Sequence, residues 1–137
     1  MTSIHASAVE IGGRGLLILG PSGAGKSALA LALMGQGARL VADDRVILRA
    51  RDGHVLADCP APLRGRIEAR GIGILRAEPA GPVPLAQVVD LGRNESERLP
   101  PFRTTLLLGV TLPLVLGPLR PHLSSALVQL MRCGRCD

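Results

Sequence analysis

The residues best equipped for chemistry lie in one run, Gly20-Pro21-Ser22-Gly23-Ala24-Gly25-Lys26-Ser27, which satisfies G-x-x-x-x-G-K-[ST] in full. Glycines there let backbone N–H groups converge on phosphate oxygens, because no Cβ stands between peptide and ligand. A helix that begins at the run adds the positive end of its dipole. Lys26 suits the β- and γ-phosphates of a nucleoside triphosphate, and the Ser27 hydroxyl suits Mg²⁺. Of the sixteen basic residues, fifteen are Arg, and the one Lys is Lys26. A compact ammonium threads between phosphates more readily than a planar guanidinium. A Gly/Ser-rich turn matching by chance is the competing reading. It is weakened by the flanks, an apolar run at 16–19 and an Ala/Leu-rich run at 28–34. The motif speaks of phosphate binding and leaves open what becomes of the γ-phosphate.

A second feature supplies the missing chemistry. Asp43-Asp44 follows the apolar Leu40-Val41-Ala42, which puts two carboxylates at the C-terminal end of a strand. Ligands bind at that edge in open α/β sheets. One carboxylate suits a metal or its waters, and the other suits a proton leaving an attacking hydroxyl. On an extended strand the two would point to opposite sides and so take different roles. Without the phosphate loop, a solvated Asp-Asp turn would be the better reading.

These residues need a scaffold, and the pattern predicts one. Residues 8–11 and 16–19 read as strands around a Gly-rich hairpin, and 28–34 as a helix ended by Gly35 and Gly37. Strands follow at 39–42, 45–49 and 55–57, with a turn at Asp52-Gly53. Residues 59–63 and 77–84 read as loop, and 65–75, with its alternating glycines, fits no single type. A strand at 87–91, a polar flexible stretch at 93–102, a strand near 104–108, a turn and a helix near 121–131 complete the chain. The expectation is one α/β domain spanning 1–137, of the P-loop type with a mixed sheet.

Four segments, in order, carry a family resemblance. They are His5 before a strand, the loop at 20–27, Leu40-Val41-Ala42-Asp43-Asp44, and Ile67-Glu68-Ala69-Arg70-Gly71-Ile72-Gly73-Ile74. Together they resemble the catalytic C-terminal domain of HPr kinase/phosphorylase, the bacterial enzyme that phosphorylates a serine of the phosphocarrier HPr. The segment around Glu68-Ala69-Arg70-Gly71 is the most specific of the four, and the resemblance runs from about residue 5 to residue 76. It implies a sheet like that of HPr kinase and phosphoenolpyruvate carboxykinase. It also implies ATP and Mg²⁺ as ligands and an HPr-like phosphocarrier as partner, in a chain that forms homo-oligomers.

Residue by residue, the resemblance assigns Asp44 as the group that takes the serine proton, assisted by Asp43. Glu68 matches a metal-contacting residue beside Ser27, Arg70 lies in a segment used in both reaction directions, and His5 matches a histidine near the reacting groups. Arg98, in Glu97-Arg98-Leu99-Pro100, is matched to a catalytic arginine of a loop. Two departures stand out: Ala28 replaces the Glu that usually follows the loop serine, and Leu112-Pro113-Leu114-Val115-Leu116-Gly117 lacks the family's arginines. The second weighs against the phosphorylase direction. A small-molecule kinase, another P-loop NTPase and a non-catalytic nucleotide sensor are the competing functions.

Composition excludes other classes. Hydrophobic residues make up 47% of the chain, enough for a packed interior. With one Phe and no Trp or Tyr, there is no stacking platform for bases, and the +5 charge is scattered rather than gathered into a nucleic-acid arm. The longest uncharged stretch, 104–119, is short of the ~20 residues of a bilayer span and carries Pro113 and Pro118, so it reads as buried strand plus turn. Cys59, Cys133 and Cys136 are too few for a disulfide scaffold. No signal peptide is recognisable at the start, and a reducing cytoplasm is the expected location. Cys133-Gly134-Arg135-Cys136 has knuckle-like spacing without a second ligand pair nearby.

Overall fold

Gly12 and Gly13 take φ of 60° and 82°, the geometry a two-residue hairpin needs. They fold β2 (Ser7–Ile11) back against β3 (Arg14–Leu19). In the computed structural model, which describes residues 1–137, a short β1 (Thr2–Ile4) precedes this hairpin. Helix α1 (Lys26–Met34), β4 (Arg39–Ala42), β5 (Val46–Arg51) and β6 (His54–Asp58) follow. Then come β7 (Arg66–Ala69), β8 (Gly73–Arg76), β9 (Val83–Asn94), β10 (Arg103–Leu107), β11 (Val110–Gly117) and α2 (Leu123–Cys133).

Nine strands form one sheet in the order β1-β5-β6-β9-β3-β2-β4, with β11 also on β9 and β10 on β11. The sheet is mixed: β9 is parallel to β3 and β11 and antiparallel to β6. The first residues of β9, Val83 and Pro84, pair with Ala57 and Leu56 of β6, whereas Val88 to Asp90 pair with Leu114 to Leu116 of β11. One strand thus serves two successive neighbours, and the sheet curls around it. The hairpin of β7 and β8 stands apart as a second, two-stranded sheet.

Alternation along the strands sorts the core into two layers, since successive side chains face opposite sides. Leu17 joins Ala8, Val41 and Val88 on one face. Leu16 and Ile18 join Val9, Leu40 and Val89 on the other, where Leu29 and Leu33 of α1 and Leu127 and Met131 of α2 cover them. The α/β class with a mixed sheet is as the sequence implies. Aliphatic side chains and alanines fill nearly all of this interior, and Phe102, the one aromatic residue, is exposed. Neither helix is long and apolar enough to cross a membrane.

Three segments depart from the sequence reading. Residues 110–117, expected as a turn, form the full strand β11. Pro113 is accommodated with its ring exposed and its carbonyl accepting from Gln87 Nε2 at 3.1 Å. Strand β9 runs over twelve residues rather than five and takes in Pro84 and Gly92. The stretch of alternating glycines at 65–75 is mostly the β7–β8 hairpin, reversed at Gly71 with φ 83°.

Candidate active site

Strand β3 ends at Leu19, and the chain leaves it through Gly20, whose φ of 149° and crowding by Ala24 Cβ (3.1 Å from where a Cβ would lie) demand glycine. The Ala24 amide donates to the Pro21 carbonyl at 3.1 Å and closes the turn. At Gly23 (φ 86°) nothing lies within 4 Å of where a Cβ would stand, so the peptide is open to close approach. Gly25 (φ 101°) leads into α1 and gives it no side-chain cap, which leaves its first amides without a side-chain partner. The Lys26 side chain is buried, and its Nζ donates to the carbonyls of Gly20 (2.7 Å) and Pro21 (3.2 Å). The ammonium therefore lies within the curl of the loop.

The carboxylates take up separate stations. Asp43 is 7% exposed; its Oδ1 accepts from Ser7 Oγ at 2.8 Å and Ser27 Oγ at 2.7 Å. Its Oδ2 accepts, at 3.4 Å, from the Glu68 amide of β7. Those donors make burial of the charge tolerable. Asp44 is exposed and does not continue the strand. Its φ of 71° turns the chain into the left-handed region, which Asp and Asn adopt more readily than most residues. The extended-strand picture of the pair is corrected here: the turn at Asp44, not strand alternation, separates the two side chains. His5 Nε2 lies 2.9 Å from Asp44 Oδ1.

A cavity of about 540 Å³ gathers His5, Lys26, Ser27, Asp44, Glu68 and Arg70, beside Ser22, Gly23 and Gly25 of the loop. Gly20, Pro21 and Ala24 shape the loop without lining that cavity, and Asp43 reaches it through Ser27. Arg98 is exposed in the loop between β9 and β10 and does not line it. Ser7, which the sequence reading passed over, lines the cavity and anchors Asp43. Its signal was a hydroxyl inside the otherwise apolar Ala6-Ser7-Ala8-Val9.

No three His, Cys, Asp or Glu side chains converge on one point. Mg²⁺ commonly takes only one or two protein oxygens together with substrate phosphates. The Ser27 hydroxyl and the carboxylates of Glu68 and Asp43 are hard oxygen donors of that kind. Cys133 and Cys136 are free and exposed at the end of α2.

The loop that carries Arg98 is tied at both ends. The Glu95 amide donates to the Gly117 carbonyl at 2.7 Å, and Arg135 Nη2 donates to the Pro100 carbonyl at 2.8 Å while its guanidinium lies 4.2 Å from the Phe102 ring centroid. Arg103 donates twice to the Glu95 carboxylate, at 2.7 and 2.8 Å, and holds it down to a pKa of about 2 from the usual 4.5. A carboxyl lowered by folding contributes stability above pH 4.5 that is lost as pH falls toward about 2. Arg103→Gln should therefore flatten the pH dependence of stability in that window, read from urea denaturation at a series of pH values. An unchanged slope would show the pair to be energetically idle.

Residues 1–80 match the family model described as HPr Serine kinase C-terminal domain. An HPr kinase/phosphorylase of Lactobacillus acidophilus is 50% identical over 74 residues, 53% of this chain and 23% of that protein. One from Clostridium botulinum is 45% identical over 74 residues, 54% of this chain and 24% of that protein. The matched region thus covers about a quarter of these curated relatives. A solved structure of the Hpr(Ser) kinase/phosphatase from Coxiella burnetii superimposes with a TM-score of 0.83 at 29% identity, covering 96% of this chain and 95% of that one.

Proposed function

The chain belongs to the HPr serine kinase C-terminal domain family, and from that premise we propose that it transfers the γ-phosphoryl group of ATP to a serine hydroxyl of an HPr-like phosphocarrier protein. The observation that carries this reading is a shared cavity. Lys26 and Ser27 of a complete phosphate-loop motif face the same space as the His5–Asp44 pair. In this reading the loop at 20–27 is a Walker A loop. Its amides cradle the phosphates, and Lys26 Nζ exchanges loop carbonyls for β- and γ-oxygens.

His5 engages Asp44 Oδ1, so Oδ2 is the oxygen that accepts the serine proton. As that proton leaves, the serine oxygen bonds to the γ-phosphorus, the bond to the β–γ bridging oxygen breaks, and ADP departs. Arg70, on the cavity wall, counters charge on the transferring group, and Arg98 does so only if its loop closes over the cavity. Ser27 and Glu68, with Asp43 behind Ser27, would hold Mg²⁺, which neutralises phosphate charge. Residues 1–137 act as one catalytic domain in the cytoplasm, as a homo-oligomer.

Incubating the protein with γ-labelled ATP, Mg²⁺ and candidate phosphocarriers tests this. Label should appear on a serine of the carrier. Label on a metabolite would instead mark a small-molecule kinase, and tight ATP binding with neither transfer nor hydrolysis would mark a sensor.

A further inference from the structure

A second hollow, of about 390 Å³, opens on the other flank of α1. Ala28 and Ala32 form one wall, and Leu119, Arg120, Pro121 and Ser124, from the β11–α2 connection and the start of α2, form the other. Ala28 and Ala32 are one helical turn apart on one face, and their small side chains leave the space open. The notch adjoins the phosphate loop directly. Ala28 borders both cavities, and Leu119 Cδ2 would stand 2.7 Å from a Cβ at Gly25.

We propose that this notch holds the purine base of the nucleoside triphosphate, an assignment that rests on the phosphate-loop reading above. The triphosphate sets the direction. Its γ end belongs with Lys26, Ser27 and the acidic pair, so the nucleoside leaves the loop on the flank away from them. The notch lies on that route, and no carboxylate lines it. Its walls are apolar, as the faces of a flat heterocycle require. Its polar groups are donors. Arg120, held by its Nη2–H to the Gly117 carbonyl at 3.0 Å, has further N–H groups to offer. Ser124 Oγ accepts from Gln36 Nε2 at 2.9 Å, which leaves its own hydrogen for a ring nitrogen. Purine rings present acceptor nitrogens to such donors.

The two halves of the ligand can be weighed separately by titrating the protein with ATP and with inorganic tripolyphosphate in the presence of Mg²⁺. Ala32→Phe fills the notch from an exposed helical position. It should weaken ATP at least tenfold and leave tripolyphosphate within twofold. In the parent protein, methyl-labelled Leu and Ala should pass magnetisation to the base protons of bound ATP, a readout independent of any variant. Unchanged ATP affinity in Ala32→Phe, equal loss of both ligands, or no transfer from the methyls would overturn the assignment. A parent that binds tripolyphosphate as tightly as ATP would overturn the notch and spare the loop. Binding of neither ligand would overturn both, and ATP binding without transfer to a carrier would leave the notch standing and remove only the kinase reading.

Discussion

Asp44→Asn should lower phosphoryl transfer by about 10²–10⁴-fold, the range for losing a general base, and leave ATP affinity within a few-fold. The substitution is nearly isosteric and keeps a residue that accepts the left-handed φ of 71° found there. It also keeps an oxygen for His5. What it removes is the ability to take a proton. Rate and affinity measured on one preparation, by transfer of label and by calorimetric titration, separate these effects. Transfer near the parental rate would take Asp44 out of the mechanism and return the role to Asp43 or His5. Asp43 is the poorer candidate, because Ser7 and Ser27 already share one of its oxygens and its side chain is buried.

Lys26→Met should cost ATP binding about 10²–10³-fold, roughly the loss of two charge-assisted hydrogen bonds at ~1.5–3 kcal/mol each, less what water restores. Met keeps the length and packing of the buried stem, and the neutral tip removes an unpaired charge from the interior. The fold should therefore survive, with an unfolding midpoint close to the parent's. Retained affinity would mean that the loop amides alone hold the triphosphate. Lys26→Arg is the instructive companion: the chain uses Arg for every other basic residue, yet a planar guanidinium should fit poorly where one nitrogen now reaches both the Gly20 and Pro21 carbonyls.

The phosphate loop and the acidic pair were legible because they obey local rules, whereas His5, Glu68 and Arg70 came into view only through the family resemblance. The loop glycines need positive φ, the Ala/Leu run after them favours helix, and Asp43-Asp44 closes an apolar strand; each signal lies within eight residues of its effect. The chain from 83 to 117 was harder to read for a physical reason. Strand β9 contains Pro84 and Gly92, and β11 contains Pro113, residues that argue locally against strand. Their places in the sheet are set by partners far away in sequence, β3, β6 and Gln87, which no short window contains. Ser7 escaped notice for the same reason, since its role depends on Asp43, thirty-six residues on. Arg98 stands where its loop puts it, outside the cavity, and spacing along the chain could not reveal that.

The family match stops at residue 80, three positions before β9 begins, while the likeness of shape continues over 96% of the chain. The recognisable portion therefore lacks the strand on which β3 and β6 both lean. Made alone, the eighty residues that carry nearly all of the proposed chemistry should leave edges of β3 and β6 unpaired and fail to unfold as one cooperative unit. Beyond residue 80 the likeness is one of shape, and a strand seated between neighbours is held there by apolar bulk on the side chains it turns inward.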